Sequence, residues 1–136
     1  MKTVQFAAKF DYLDEIREFV GAIARDSGFS DKDVYNIQLA TDEAASNVIE
    51  HAYENISDGM LELSCGVRDD LITIILIDHG ESFDPSEIPL PDLKADLSDR
   101  KIGGLGIFLM RKLMDEVHYE ANSDKSNVLT MTKRKR

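Results

Sequence analysis

Residues 60–78 read MLELSCGVRDDLITIILID, two β-patterned runs on either side of an aspartate pair. Over residues 60–68 apolar and polar side chains alternate, the period of a strand with one face in a core and the other outside. Asp69-Asp70 is turn chemistry, and so short a connection predicts a tight hairpin into LITIILID. The second run is apolar enough to lie at the centre of a sheet. Strands joined by a hairpin pair antiparallel, since parallel neighbours need a long crossover.

Upstream, residues 2–10 (KTVQFAAKF) lean to β, and Asp11 is the expected N-cap of a helix through LDEIREFVGAI, in which Leu13, Ile16, Phe19, Val20 and Ile23 recur at helical spacing. Ser27-Gly28 should end that helix. Ser30, with Asp33 three residues on, should open a second one running to about Glu54. Its stripe of Val34, Ile37, Thr41, Ala44, Val48 and Ala52 is rich in small residues, which lets a helix lie close to a sheet. Downstream, periodicity is lost from Gly80 to Ile102, where Pro85, Pro89 and Pro91 mark a loop of roughly twenty residues, long enough to be a functional lid. GGLGIFLMRKLMDEV resumes helical spacing through Ile107, Met110, Leu113 and Met114, and EVHYEA and NVLTMTK lean to β. The order β-α-α-β-β-lid-α-β-β predicts an α/β (α+β) two-layer sandwich, a mixed and mostly antiparallel sheet with helices on one face. A doubly wound parallel sheet is the alternative. Residues 1–136 are expected to form one domain.

Composition narrows the function classes. Of 136 residues, 43% are hydrophobic and 31% charged, the balance of a globular domain. No apolar run approaches the ~20 residues of a membrane span, and acidic residues interrupt the N-terminus before a signal-type stretch could form, so a cytoplasmic protein is expected. The lone Cys65 sits in an alternating segment and reads as a partly buried thiol. A net charge of -10, from 26 acidic against 16 basic residues, opposes nucleic-acid binding. Only Lys133-Arg134-Lys135-Arg136 clusters positive charge, and a terminal tetrad of this kind is expected to be a solvated, frayed end. An acidic surface suits a basic protein partner.

Three groups of residues could carry chemistry. Glu43, Asn47 and His51 stand four apart in the second predicted helix, placing a carboxylate and an amide on one face. Such a pair can serve a proton and a hard cation, and Mg²⁺ needs few protein ligands when it bridges phosphates. The same spacing is also that of an ordinary solvated helix face. Asp78 ends an apolar strand at the mouth of the predicted lid, where it is either a turn-initiating residue or a buried carboxylate that an exocyclic amine such as adenine's would satisfy. Gly103, Gly104 and Gly106 precede an amphipathic helix, where backbone can approach phosphate closely and the helix N-terminus favours negative charge. A hinge before a helix would look the same. No Lys-Ser or Lys-Thr follows these glycines, so they form no Walker A loop.

Taken together, DEAASNVIEHAYE, DHGESFDP and GGLGIFLMRKLMDEV, in that order and over about residues 5–133, resemble the GHKL (Bergerat-fold) ATPase superfamily, and within it the anti-sigma-factor serine/threonine kinases. The resemblance implies ATP and Mg²⁺, with Glu43 as general base and Asn47 as the metal ligand. It maps Asp78 to the adenine amine, with Gly80 letting the backbone pass under the base. Gly103, Gly104, Leu105 and Gly106 would wrap the phosphates, and Arg100 or Lys101 would meet the γ-phosphate. Ser82 stands where many superfamily members have a second glycine. Asn127 stands where a threonine commonly helps to hold adenine through water. The partners implied are an anti-sigma-factor antagonist with a STAS fold, whose serine or threonine is phosphorylated, and a sigma factor released or held in exchange. A homodimer is implied as well, without direct nucleic-acid or membrane contact.

Two rivals are weighed against this. An ATP-gated protein-binding module without kinase activity would keep Asp78 and the glycines but need no Glu43. A sensor histidine kinase domain usually follows a dimerisation helix carrying its acceptor histidine, for which the expected single domain leaves no room. The three histidines, His51, His79 and His118, fit no zinc spacing, and no G-x-S-x-G suggests a serine hydrolase.

Overall fold

The hairpin of residues 60–78 is the middle of the sheet. In the computed structural model, which describes residues 1–52, 59–80, 104–124 and 126–136, with backbone only at 51, 52 and 104–106, strand β2 (Met60–Arg68) pairs antiparallel with β3 (Leu71–Asp78), from Arg68↔Leu71 to Leu61↔Asp78. The turn consists of Asp69 at φ 53° and Asp70 at φ 64°. Two consecutive left-handed residues make the primed turn whose twist matches that of the flanking strands, and aspartate tolerates that conformation better than most side chains.

Around this hairpin stand β1 (Lys2–Ala7), α1 (Leu13–Asp26), α2 (Asp31–Asn47), α3 (Gly104–Leu113), β4 (Glu116–Ala121) and β5 (Asn127–Arg134). The five strands lie in the order β1-β2-β3-β5-β4, and every neighbouring pair is antiparallel. The expected two-layer sandwich is therefore present, with a sheet that is wholly antiparallel among the described residues rather than a doubly wound parallel one. Period-two alternation sorts the side chains: Leu61, Leu63 and Cys65 of β2, Ile72, Ile74 and Leu76 of β3, and Leu129 and Met131 of β5 are buried under the helices. Ile16, Val20 and Ala24 of α1, Val34, Ile37, Ala40 and Ala44 of α2, and Ile107 and Met110 of α3 complete this core. Cys65 is wholly within it, and burial pushes its thiol up to about 12, so it stays protonated and inert.

Local chemistry sets the helix ends. Ser30 caps α2 by accepting a hydrogen bond from the Asp33 N–H at 3.2 Å. Gly28, at φ 87°, ends α1: the Gly28 N–H reaches Arg25 O at 3.0 Å and the Phe29 N–H reaches Ala24 O at 3.1 Å, the paired bonds of a Schellman motif with buried Phe29 as its apolar contact.

Three expectations need correction. Asp11 does not cap α1; it lies in a 3₁₀ turn, Phe10–Tyr12, whose backbone bond from Leu13 N–H to Phe10 O leads into the helix without a side-chain cap. The second helix is α-helical only to Asn47 and continues as a π-helical turn over Val48–Ala52, while residues 53–58 lie outside the described ones. The basic C-terminus is not frayed. β5 runs to Arg134, its alternation turns Lys133 inward, and each cation of the tetrad finds an acceptor, that of Arg134 being Asp69 O at 3.3 Å. The predicted lid beyond Gly80, residues 81–102, lies outside the described residues.

Candidate active site

The inward row of β3 ends on a polar residue. Alternation that buries Ile72, Ile74 and Leu76 buries Asp78 as well, leaving it 5% exposed. Across the ladder its register partner is Asn127, the first residue of β5 and 2% exposed. That registration explains a contact between residues 49 apart in sequence: Asn127 Nδ2 donates to Asp78 Oδ1 at 2.8 Å. The same nitrogen donates to Gly80 O at 3.0 Å, and the Gly80 N–H donates back to Asp78 Oδ1 at 2.9 Å. A buried carboxylate requires such donors, and here two converge on one of its oxygens.

α2 faces this corner. Ala44, Asn47 and Val48 line a cleft with Leu76, Asp78 and Leu129 of the sheet, Met110 of α3 and Tyr119 of β4. Its walls are mostly apolar with a polar corner, the character of a site for a planar ring with a few polar groups. The Asn47 side chain is 6% exposed, and its Nδ2 is buried without a hydrogen-bond partner; so is Asn127 Oδ1. Native interiors rarely leave such atoms unpaired, and two of them at one site mark where a ligand's polar groups or water complete the network.

Glu43 lies one helical turn before Asn47, partly buried at the end of α2. Burial, followed by the charges of Asp42 and Glu50, raises its pKa above the ordinary carboxylate value. Its neighbour Asp42 is held by the Arg17 guanidinium of α1 at 2.8 Å. A carboxylate with elevated proton affinity, one turn from an unpaired amide, is suited to accepting a proton at neutral pH. His51, third in the predicted stripe, belongs to the π-helical turn, so its spacing from Asn47 does not run through α-helical geometry.

Gly104, Leu105 and Gly106 form the first turn of α3 rather than a loop ahead of it, and Gly106 stands one turn before the cleft-lining Met110. The first backbone N–H groups of a helix have no intrahelical acceptor, so this turn offers donors for an anion next to the cleft. Arg100, Lys101 and Gly103 lie outside the described residues, as does Ser82. His79 is described, next to Asp78; His118, on β4, pairs with Glu116 at 3.3 Å. Among the described residues no three His, Cys, Asp or Glu side chains converge as a metal cluster. A hard cation held by one carboxamide oxygen and by phosphate needs none, and Asn47 carries such an oxygen, while its unpaired Nδ2 is a donor that suits an acceptor such as a phosphate oxygen.

The structure thus brings Asn47, Asp78, Gly80 and Asn127 together, with Glu43 one turn away. Sequence reasoning missed Tyr119. Its signal was the alternation in EVHYEA, which turns Val117 and Tyr119 to the same side as the core.

A family model described as a histidine kinase-like ATPase domain matches residues 6–133. A serine-protein kinase RsbW of Halalkalibacterium halodurans is 37% identical over 131 residues, which is 93% of this chain and 78% of the relative. The enzyme of the same name from Listeria monocytogenes serovar 1/2a is 33% identical over 132 residues, 94% of this chain and 84% of the relative. Among solved structures, the RsbU and RsbW domains of a Mycobacterium tuberculosis protein align at a TM-score of 0.66 and 15% identity, over 99% of this chain and 33% of that one. The catalytic domain of the histidine kinase ThkA aligns at 0.55 and 15% identity, over 99% of each chain. At such identities the structural likenesses concern the fold alone.

Proposed function

This chain belongs to the histidine kinase-like ATPase family, among its serine-protein kinases, and on that basis we propose that it binds ATP with Mg²⁺ and transfers the γ-phosphate to a serine or threonine of an anti-sigma-factor antagonist with a STAS fold. The observation that carries the proposal is the buried corner of Asp78, Gly80 and Asn127 beside a cleft whose opposite wall holds the unpaired Asn47 amide.

In this mechanism adenine enters the apolar cleft and its amine meets Asp78. The backbone of Gly103, Gly104, Leu105 and Gly106 receives the phosphates, and Arg100 or Lys101 meets the γ-phosphate. Asn47 would hold Mg²⁺, which supplies charge neutralisation on the phosphate oxygens when bound. Glu43 accepts the proton of the partner's hydroxyl as its oxygen bonds to the γ-phosphorus and the bond to the ADP oxygen breaks. Phosphoryl transfer asks a protein mainly for positioning and electrostatics, so these few groups suffice. The raised proton affinity of Glu43 favours a kinase over a nucleotide-gated binding module, which would need no base.

We take residues 1–136 as one kinase domain with an ATP lid at about 80–102. The biological role proposed is partner switching: phosphorylation of the antagonist frees the kinase to hold a sigma factor. A homodimer is consistent with the sheet face turned away from the helices, where Ile75, Ile77 and Val128 are only half-buried. Net charge of -10 and a basic tail tied to carboxylates speak against direct nucleic-acid contact. Among the described residues no helix is long and apolar enough to cross a membrane, and we place the protein in the cytoplasm.

Calorimetry with Mg-ATP and Mg-GTP tests the foundation. Selective ATP binding is expected. No binding at millimolar ATP by the folded protein would remove the kinase assignment, and ATP binding without transfer to any STAS-domain acceptor would leave the gated module.

A further inference from the structure

Arg17, in the first half of α1, is held to α2 at two points. Its carbonyl oxygen accepts from Gln38 Nε2 at 3.0 Å, and its guanidinium Nη1 donates to Asp42 Oδ1 at 2.8 Å. Gln38 and Asp42 stand one turn apart on α2, as Arg17 and Gly21 do on α1, so the two helices meet along matching faces. Gly21 permits the close approach, since a Cβ there would lie 2.3 Å from Gln38 Nε2. The other terminal nitrogen of Arg17 donates to Asp14 Oδ1 on α1. The guanidinium is thus fixed between two carboxylates, which orient its planar fork.

Ion pairs of this exposure contribute little to stability: the side chains of Arg17 and Asp42 are 37% and 22% exposed. The position of the pair matters more than its strength. Asp42 directly precedes Glu43, and its charge opposes ionisation of Glu43, as does that of Glu50 in the π-helical turn. From the other elements packed on α2, α1 brings Arg17 with Asp14, β3 brings Asp78 to the cleft wall, and α3 carries Arg111 and Lys112 exposed on its last turn. Arg17 draws the Asp42 carboxylate toward α1. Without that bond the carboxylate is free to turn among its staggered positions and approach its neighbour.

We infer that Arg17 is a positioning residue for the proposed phosphoryl transfer: by holding the Asp42 carboxylate on α1, it keeps a second anion away from the base Glu43. The inference rests on the kinase reading above and adds to it a residue on another helix that acts on the base through Asp42. Its role is one of placement, so it should appear in the chemistry of Glu43 more than in the stability of the fold.

The test is the pH dependence of single-turnover transfer from Mg-ATP to a STAS-domain acceptor, both saturating, in the wild type, Arg17→Gln, Asp42→Asn and the double variant, each first shown to be folded by circular dichroism. The wild-type rate should rise with pH as Glu43 ionises. Arg17→Gln should move that limb up by about half a pH unit, because a released Asp42 disfavours a second negative charge, and should lower the rate on its acidic side about threefold. Asp42→Asn should move the limb down by a similar amount. The double variant should coincide with Asp42→Asn, since Arg17 then has no carboxylate to hold. A merely structural ion pair would change the urea midpoint, or the rate at every pH alike, and leave the limb in place; so would an Arg17 that touches the acceptor protein. An unmoved limb in Arg17→Gln, with wild-type transfer intact, overturns the inference and leaves the kinase reading standing, and so does a double variant whose limb lies well above that of Asp42→Asn. Wild-type protein that binds ATP but transfers to no STAS-domain acceptor removes both.

Discussion

The two ends of β5 bury polar groups in opposite ways. At its start, Asn127 and Asp78 share hydrogen bonds, but Asn127 Oδ1 and, across the cleft, Asn47 Nδ2 are left unpaired. At its far end the polar groups close on one another. Lys133, 7% exposed, sends Nζ to Leu113 O at 2.8 Å, where the last carbonyls of α3 need donors and the helix dipole favours a cation. The Arg134 N–H meets Asp115 Oδ2 at 2.7 Å, and Arg136 meets the other oxygen of the same carboxylate at 2.7 Å. Lys135 bridges Asp70 at 3.3 Å. Burial works against the Asp115 charge, but the Arg136 and Arg134 hydrogen bonds and the nearby cations outweigh it, so its pKa lies below the usual value. A saturated end contributes stability. An unsaturated end costs stability and is kept where a ligand completes it.

Substitutions at the open end should therefore damage function, and substitutions at the closed end should damage stability. The largest effect is expected for Glu43→Gln, which should lower phosphoryl transfer to a STAS-domain acceptor about 10²- to 10⁴-fold while leaving ATP affinity within a few-fold, read by radiolabel transfer and calorimetry side by side. Normal transfer would take the general-base role from Glu43. Next comes Asp78→Asn, expected to weaken ATP binding about 10- to 100-fold by removing the charged acceptor, with little change in the urea midpoint. A variant that unfolds easily yet binds ATP normally would place Asp78 with the structural end. Lys133→Met is the converse probe: it strands the Leu113 carbonyl and should cost about 1–2 kcal/mol in urea denaturation with ATP affinity unchanged.

The contrast was only half legible in the sequence. Alternation along residues 60–78 and at the start of β5 was enough to place the strands, and three motif boxes pointed to Glu43, Asn47 and Asp78. Register was not legible, and register makes the site: only the β3–β5 pairing sets Asp78 opposite Asn127. The closed end was misjudged for the same reason. A run of four basic residues reads as solvated when taken by composition, whereas the period of NVLTMTK, which already ends on Lys133, turns Lys133 inward and, carried one residue further, Arg134 outward. The end of α2 was overrun because an apolar stripe at helical spacing continues through Val48 and Ala52, and no residue there signals that the turn widens to π geometry.

The smallest predicted effect sharpens the comparison most, because it gives one substitution opposite consequences. Glu43 has its pKa raised chiefly by burial, then by Asp42 and Glu50, so ionisation is less favourable in the folded protein than in the unfolded chain. Between the unfolded value, about 4.3, and the raised folded value, the folded state binds more protons, and stability falls as pH rises through that window. Above it the penalty persists; below about pH 4 both states are protonated and it disappears. Glu43→Gln escapes the penalty. The inactive variant should therefore be more stable than the wild type at pH 7, and the advantage should vanish as both are titrated to pH 4, as measured by urea midpoints at the two pH values. Lys133→Met, made at the closed end, should be less stable at both. If Glu43→Gln instead destabilised the protein at pH 7, the carboxylate would belong to the closed kind of polar burial, and the distinction between the two ends would fail at its most catalytic residue.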